Sequence, residues 1–504
     1  MKLNKNKILL LSVLSALTFS SCANENFGDD YNENTYGIYD SDYKSLMAGA
    51  IAQFSLRGGQ NFYMKPVLYS QYQSQVIYTS ESQYSTEAGQ WDWYYARGLN
   101  SLDAIIKAYS GDVTNAMTAQ GSKNNMIGVS KIFRAIMYKR LTDTYGDIPY
   151  SEANKVNDGI KAPKFDKQEE VYKSLIAELK QGRDLLVNSE TLPVGDILYS
   201  GNVTRWRKLA NSVILQASLQ LSKKYPGATD YAATEFKAAL ANPAGVIEVV
   251  ADEAWYTYNI DAAVTNPLYA FRAADYRLSA QLVESLKGTS TGADAAFNVT
   301  SNHTNDTRKN VFASNTNPGL PYGYNAGDLA TAGYSTAAKA QLATRFRGQT
   351  SPMNLMTASY TFLNRAEAAA RGWTSENATA LLSQGITLSY QSLDAKYATA
   401  VSANAAVYAA ARVADAATFG IQRVIGEEKW VTLFNNGFDS WAEWRRTGYP
   451  NLKPAPSSLN GGTIPRRIPY PRTEQIYNAT NYGAAVGTLL PATDLNTSKV
   501  WWDQ

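Results

Sequence analysis

The sequence is poor in the residues on which much enzyme chemistry depends. It has one histidine, His303, and one cysteine, Cys22, in 504 residues. A multi-His or Cys zinc site, a Cys–His protease and a Ser–His–Asp triad each need more than this, so all three are excluded. Carboxylate chemistry is left as the main catalytic option. A single cysteine cannot close an intramolecular disulfide, so packing alone must hold the fold. Charged residues are few, at 18%. The sequence also lacks a Gly-rich phosphate loop ending in Lys-Ser/Thr, an EF-hand spacing, and any uncharged apolar run of the ~20 residues that would span a bilayer.

What is present is globular in composition: 45% hydrophobic residues, with 34 Gly and 17 Pro. Length alone suggests about three domains at ~150 residues each, but no shift in composition marks a boundary. One body is therefore expected. Tyrosine stands out, with 34 residues against 15 phenylalanines. Rings that carry a hydroxyl suit wet, flat binding surfaces.

Residues 1–21 combine Lys2, Lys5 and Lys7 with an apolar run from Ile8 to Leu17 and small residues Ser20 and Ser21 just before Cys22. This reads as a secretory signal, and its end resembles a bacterial lipobox with Phe19 in place of the usual leucine. Cys22 is then the acylated N-terminus of the mature chain. Removing these three of the 47 basic residues leaves as many as the 44 acids, so the mature protein is formally neutral. A neutral chain without basic clusters lacks the footprint of a phosphate-backbone binder, so nucleic acid is not an expected partner. Residues 22–40 are polar and turn-rich, as a flexible tether would be.

Periodicity predicts a mainly α body over 41–504. Helices are expected at 43–57, 91–110, 127–141, 167–187, 204–221, 231–241, 355–371, 379–410 and 423–434. Val171, Leu175 and Leu179 form one such stripe, and Trp206, Leu209 and Val213 another. Paired helices of this length suit degenerate tetratricopeptide-type hairpins. Long stretches rich in Gly, Asn, Thr, Ser and Tyr intervene at 58–90, 253–272, 288–340 and 448–504, and long loops of this kind usually carry function.

Neutral sugars present C–H faces and hydroxyl edges, which flat aromatic rings and amides can meet. Residues 69–95 supply both, with no Lys or Arg. Tyr78 and Tyr84 lie there among Thr, Ser, Glu and Gln. Trp91, Tyr94 and Tyr95 share helical i, i+3, i+4 spacing, which is the pattern of a core stripe, although Trp91 stays a candidate. Tyr322, Tyr324 and Asn325 flank Gly323 in a polar loop, and Trp255, Tyr256 and Tyr258 offer a similar display. His303 reads as an exposed loop residue. The Trp441, Trp444, Arg445, Arg446 cluster reads as structural, since Asp439 and Glu443 lie within helical reach of Arg446. The polar run Asn302 to Asp306 leaves structural calcium as a candidate cation.

A resemblance is carried by several motifs in order. They are Phe133-Arg134-Ala135-Ile136-Met137-Tyr138 running into Asp143-Thr144-Tyr145-Gly146-Asp147-Ile148-Pro149-Tyr150, then Trp206-Arg207-Lys208-Leu209-Ala210-Asn211, then Arg365-Ala366-Glu367-Ala368 with Arg371-Gly372-Trp373. Glu428-Lys429-Trp430, Phe438-Asp439-Ser440-Trp441-Ala442-Glu443-Trp444-Arg445-Arg446 and Arg467-Ile468-Pro469-Tyr470-Pro471 close the pattern. Together these resemble SusD/RagB-type outer-membrane lipoproteins of Bacteroidetes, nearest the branch described as starch-binding. Asn364 departs from the family, where a more hydrophobic residue or an acid is common. The resemblance implies a tetratricopeptide-like scaffold, no catalysis, no cofactor, and loops that bind an oligosaccharide for a partner SusC-like TonB-dependent transporter. A peptide or other nutrient is the alternative ligand within the family. A glycoside hydrolase or a purely structural lipoprotein are the readings outside it.

Overall fold

In a computed structural model, residues 42–56, 60–258 and 265–504 are described. The signal segment, the tether and Cys22 lie outside them. Tyr43–Gln504 form one compact unit. The helices used below are α1 (Tyr43–Leu56), α2 (Gln60–Tyr69), α3 (Asn100–Ser110), α4 (Lys123–Tyr145), α5 (Gln168–Leu185), α6 (Val203–Gln220), α7 (Tyr231–Leu240), α8 (Ala280–Lys287), α9 (Ala358–Ala370), α10 (Ala378–Tyr397), α11 (Ala405–Phe419), α12 (Ile421–Thr432) and α13 (Gly437–Thr447). They pack in neighbouring pairs, α4 on α5, α6 on α7, α9 on α10 and α11 on α12, which is the expected hairpin scaffold. Strands are short. They occur as two-stranded ribbons, one of which pairs β1 (Gln73–Gln75) with a strand at Tyr276–Leu278 in antiparallel register, Gln73 opposite Leu278.

The apolar stripes legible in the sequence are the ones buried. Val171, Leu175 and Leu179 of α5 and Trp206 and Leu209 of α6 are fully enclosed. Close approach of α4 to α5 depends on two glycines, because a Cβ on Gly128 would come within 2.9 Å of the Gly182 carbonyl oxygen and one on Gly182 within 2.8 Å of that of Gly128. Helix α4 starts earlier than periodicity predicted, at Lys123, because the Ser122 side chain caps it by accepting from the Asn125 N–H.

The run 379–410 is not one helix. Ala398 adopts a left-handed conformation at the end of α10. Asp394 then gathers the following turn, accepting from the Val401 N–H at 2.8 Å, the Ser402 N–H at 2.9 Å and the Thr399 hydroxyl at 2.6 Å. Within the expected loop 58–90, α2 forms with Pro66 inside it. Trp255, Tyr256 and Tyr258 are buried rather than displayed, the first two in a strand paired with Met353–Met356.

Several of the enclosed charges are paired. Glu367 of α9 accepts from both terminal nitrogens of the Arg446 guanidinium, at 2.5 and 2.7 Å, and from the Lys429 ammonium at 2.6 Å. Burial pushes the Glu367 carboxyl up, but the Arg446 and Lys429 charges outweigh it and hold the group well below the usual carboxylate range. Arg446 also reaches Glu443, as helical spacing predicted. Asp439 does not join them; it accepts from Gln216 and Asn436. Arg445 lies over Trp441, 3.7 Å from the ring centroid. This cluster is part of the scaffold.

Candidate functional site

The site begins at β1, whose last residue organises the turn after it. Gln75 donates to Glu81 at 2.9 Å and its amide oxygen accepts from the Ser82 N–H at 2.9 Å, while Gln83 donates to the Thr79 hydroxyl at 2.7 Å. The Glu81 carboxyl is pushed up by burial, and the Lys65 ammonium acts against that rise. Two tyrosines in this turn have left-handed backbones, Tyr78 at φ 54° and Tyr84 at φ 69°. Their side chains go opposite ways. Tyr78 is 79% exposed and Tyr84 is fully buried.

Tyr84 is the foundation of the lobe. Its ring packs edge-on against Tyr69, with centroids 6.3 Å apart, and tilted against Tyr322 at 6.2 Å. Its hydroxyl oxygen accepts from the Ala455 N–H at 3.2 Å and from the Gln71 amide at 3.4 Å, and its carbonyl accepts from Asn496 at 3.0 Å. Gly323, at φ 80°, passes so close to residue 455 that a Cβ would lie 2.4 Å from that of Ala455. Further bonds join the three turns at 76–85, 321–334 and 453–462: the Ser457 N–H donates to the Gly323 carbonyl at 3.1 Å and the Leu459 N–H to that of Gln83 at 2.7 Å.

On this base the chain shows Tyr78, the half-buried ring pair Tyr324 and Tyr334 at 6.0 Å, and Leu459, 60% exposed. Asn325 caps the helical turn Ala326–Thr331. Its amide oxygen accepts from the Asp328 N–H at 2.8 Å and its amide nitrogen donates to the Asp328 carboxylate at 2.7 Å.

Several sequence candidates are thereby corrected. Tyr84 and Tyr322 sit at the right place in the chain but inside the core, so neither ring has a free face for a ligand. Trp91 is buried among Tyr145, Phe165 and Tyr470, with centroids 5.0, 5.7 and 5.8 Å away, as its helical spacing indicated. The amide of Asn325 is committed to its own helical turn. Tyr78 and Tyr324 are the candidates left at the surface. Tyr334 was missed, and within a long Gly-, Asn- and Thr-rich stretch no local signal distinguishes it. His303 is exposed, as expected. In the Asn302 to Asp306 run, the Asp306 carboxylate is taken by Arg308 and Tyr390 and the Asn302 amide oxygen accepts from the Thr304 N–H. Among the described residues no group of three or more His, Cys, Asp or Glu side chains is placed to hold a metal.

The helical hairpins thus carry a lobe of loops that displays the Tyr78 ring and the half-buried pair Tyr324 and Tyr334. The chain belongs to the SusD-like family described as "Starch-binding associating with outer membrane", whose model matches residues 37–471. Among solved structures it is similar to a chitin-binding protein at 26% identity, with a TM-score of 0.75 over 92% of this chain and 100% of that one. A chitin-binding SusD homolog from Flavobacterium johnsoniae matches at 21% identity and TM-score 0.71, over 92% and 98% of the two chains. A SusD homolog from Bacteroides fragilis matches at 19% identity and TM-score 0.75, over 92% and 100%. No curated protein matches the chain. Among the described residues no helix is long and apolar enough to cross a membrane.

Proposed function

We propose that this protein binds oligosaccharide at the cell surface without catalysis and passes it to a SusC-like TonB-dependent transporter, held to the outer membrane through acylated Cys22. The observation that carries the binding reading is the Tyr78 ring, 79% exposed on a turn braced over buried Tyr84. An exposed phenol face suits the C–H faces and hydroxyl edges of a neutral sugar. The family description and the chitin-binding relative at 26% identity support a glycan ligand and put β-linked N-acetylhexosamine polymers and starch first for testing.

The test is migration of the lipid-free mature protein in native gels cast with a polysaccharide panel, with each incubation analysed for released sugars. Retardation on one polymer without products is expected. Released sugars would overturn the non-catalytic reading, and no retardation on any polymer would move the ligand to peptides or another nutrient. Delivery is tested separately. A TonB-dependent barrel should co-purify from native membranes, and its absence would count against the partner.

A further inference from the structure

A cavity lies beside α8, whose Gln281 accepts from the Tyr322 N–H at 3.2 Å. Helix α8, the helical turn Lys309–Phe312 and the stretch at 313–317 enclose about 100 Å³. That is well above the ~10–15 Å³ a single water occupies and below the ~300 Å³ of a drug-sized pocket. Its apolar wall is Leu278, Val283, Leu286 and Phe312, each buried.

The rim has the opposite character. Lys287 and Lys309 both line the cavity. Lys287 pairs with Glu284 at 2.9 Å, and the other Glu284 oxygen accepts from Thr289 at 2.6 Å, so that carboxylate is engaged. Lys309 donates to the neutral amide of Asn305 rather than to a carboxylate. The nearest acid in sequence, Asp306, is bound by Arg308. Burial lowers the Lys309 ammonium below its ordinary value and the Lys287 charge adds to this, while the Asp306 and Glu284 carboxylates act against it. A half-buried cation is therefore poised over an apolar floor, where an anion with a hydrocarbon tail would satisfy both surfaces.

We propose that this cavity binds a small aliphatic monocarboxylic acid, with its tail against Leu278, Val283, Leu286 and Phe312 and its carboxylate at Lys309. Such a ligand gains affinity in two separable ways. Each buried methylene should tighten binding about fourfold until the cavity is full. The carboxylate should add about fivefold over an uncharged head group of the same length, the scale of a partly exposed ion pair.

The experiment is a ligand-observed NMR titration of the mature full-length protein with butyrate, pentanoate and hexanoate, and with hexanamide as the uncharged control. Affinity is expected to rise along the acid series, with hexanamide about fivefold weaker than hexanoate. In Lys309→Met the difference between acid and amide should vanish while the thermal melting point is kept. Flat affinity along the wild-type series, or equal binding of hexanoate and hexanamide, would overturn the proposal whatever the variant does. The glycan reading is unaffected by either result.

Discussion

Tyr78 and Tyr84 lie six residues apart in one turn, share a left-handed backbone, and should respond to alanine in opposite ways. Tyr78→Ala removes a ring that is 79% exposed and keeps a Cβ at the strained position, so stability should change by no more than about 0.5 kcal/mol. If a sugar covers one face of that ring, on the order of 60 Å² of apolar surface at about 25 cal/mol per Å² is lost, worth roughly 1–2 kcal/mol. That corresponds to about a five- to thirtyfold rise in Kd. Tyr84→Ala opens a cavity beside Tyr69 and Tyr322, for which core aromatic truncations cost about 3–5 kcal/mol. It also removes the acceptor of the Ala455 N–H. Affinity gels and urea unfolding on both variants separate the roles. Binding by Tyr78→Ala within twofold of wild type would refute contact by that ring. Wild-type melting of Tyr84→Ala would refute its part in the foundation.

Two further outcomes concern charge. Glu367→Gln leaves Lys429 and Arg446 buried with Glu443 alone, and should cost about 3–5 kcal/mol in urea unfolding at pH 7, whereas Lys173→Ala, whose partner Glu169 one turn away on α5 is exposed, should cost about 0–1 kcal/mol. Because the folded Glu367 carboxyl is held below its ordinary value of 4.5, its stabilisation is complete above that pH and is lost as pH falls through the folded value, so the gap between wild type and Glu367→Gln should close only in acid. Glu81 has the opposite sign. Its raised carboxyl favours the fold fully below pH 4.5 and loses that contribution as pH rises through the folded value, so Glu81→Gln should match wild type at pH 4 and equal or exceed it at pH 7. Lower stability of Glu81→Gln at pH 7 would contradict this.

The scaffold was legible because its signals are local. The stripe of Val171, Leu175 and Leu179 faces the core whatever the rest of the chain does, and Arg446 meets Glu443 because helical spacing places them together. The break after α10 had a local signal too, since Asp394 followed by Thr399 and Ser402 provides the acceptor and donors of a capped turn, but an unbroken Ala-rich run concealed it. The site was only half legible for a different reason. Tyr78 and Tyr84 occupy the same polar composition, and what buries one of them is a contact with Ala455, 371 residues away. Tyr322 is buried by the same long-range closure. Asn325, in contrast, precedes Asp328 by three residues, which is the spacing of a helix cap, so its commitment could have been read locally.

The turn also contains an argument for function that burial alone does not supply. A non-glycine residue held at positive φ costs on the order of 1–2 kcal/mol, and a fold tolerates it when the side chain returns more than that. At Tyr84 the return is visible, as a buried ring and an accepted Ala455 N–H. At Tyr78 the ring is mostly in solvent, so the same backbone strain is borne by a side chain that adds little to the folded core. Glycine would relieve it. Tyr78→Gly should therefore leave stability unchanged or raise it by up to about 1 kcal/mol, the relief partly offset by the freer unfolded chain. The same variant should weaken glycan binding as much as Tyr78→Ala. A Tyr78→Gly protein that unfolds more readily by 1 kcal/mol or more would show that the ring serves the fold, and would remove the reason for regarding this turn as a binding surface.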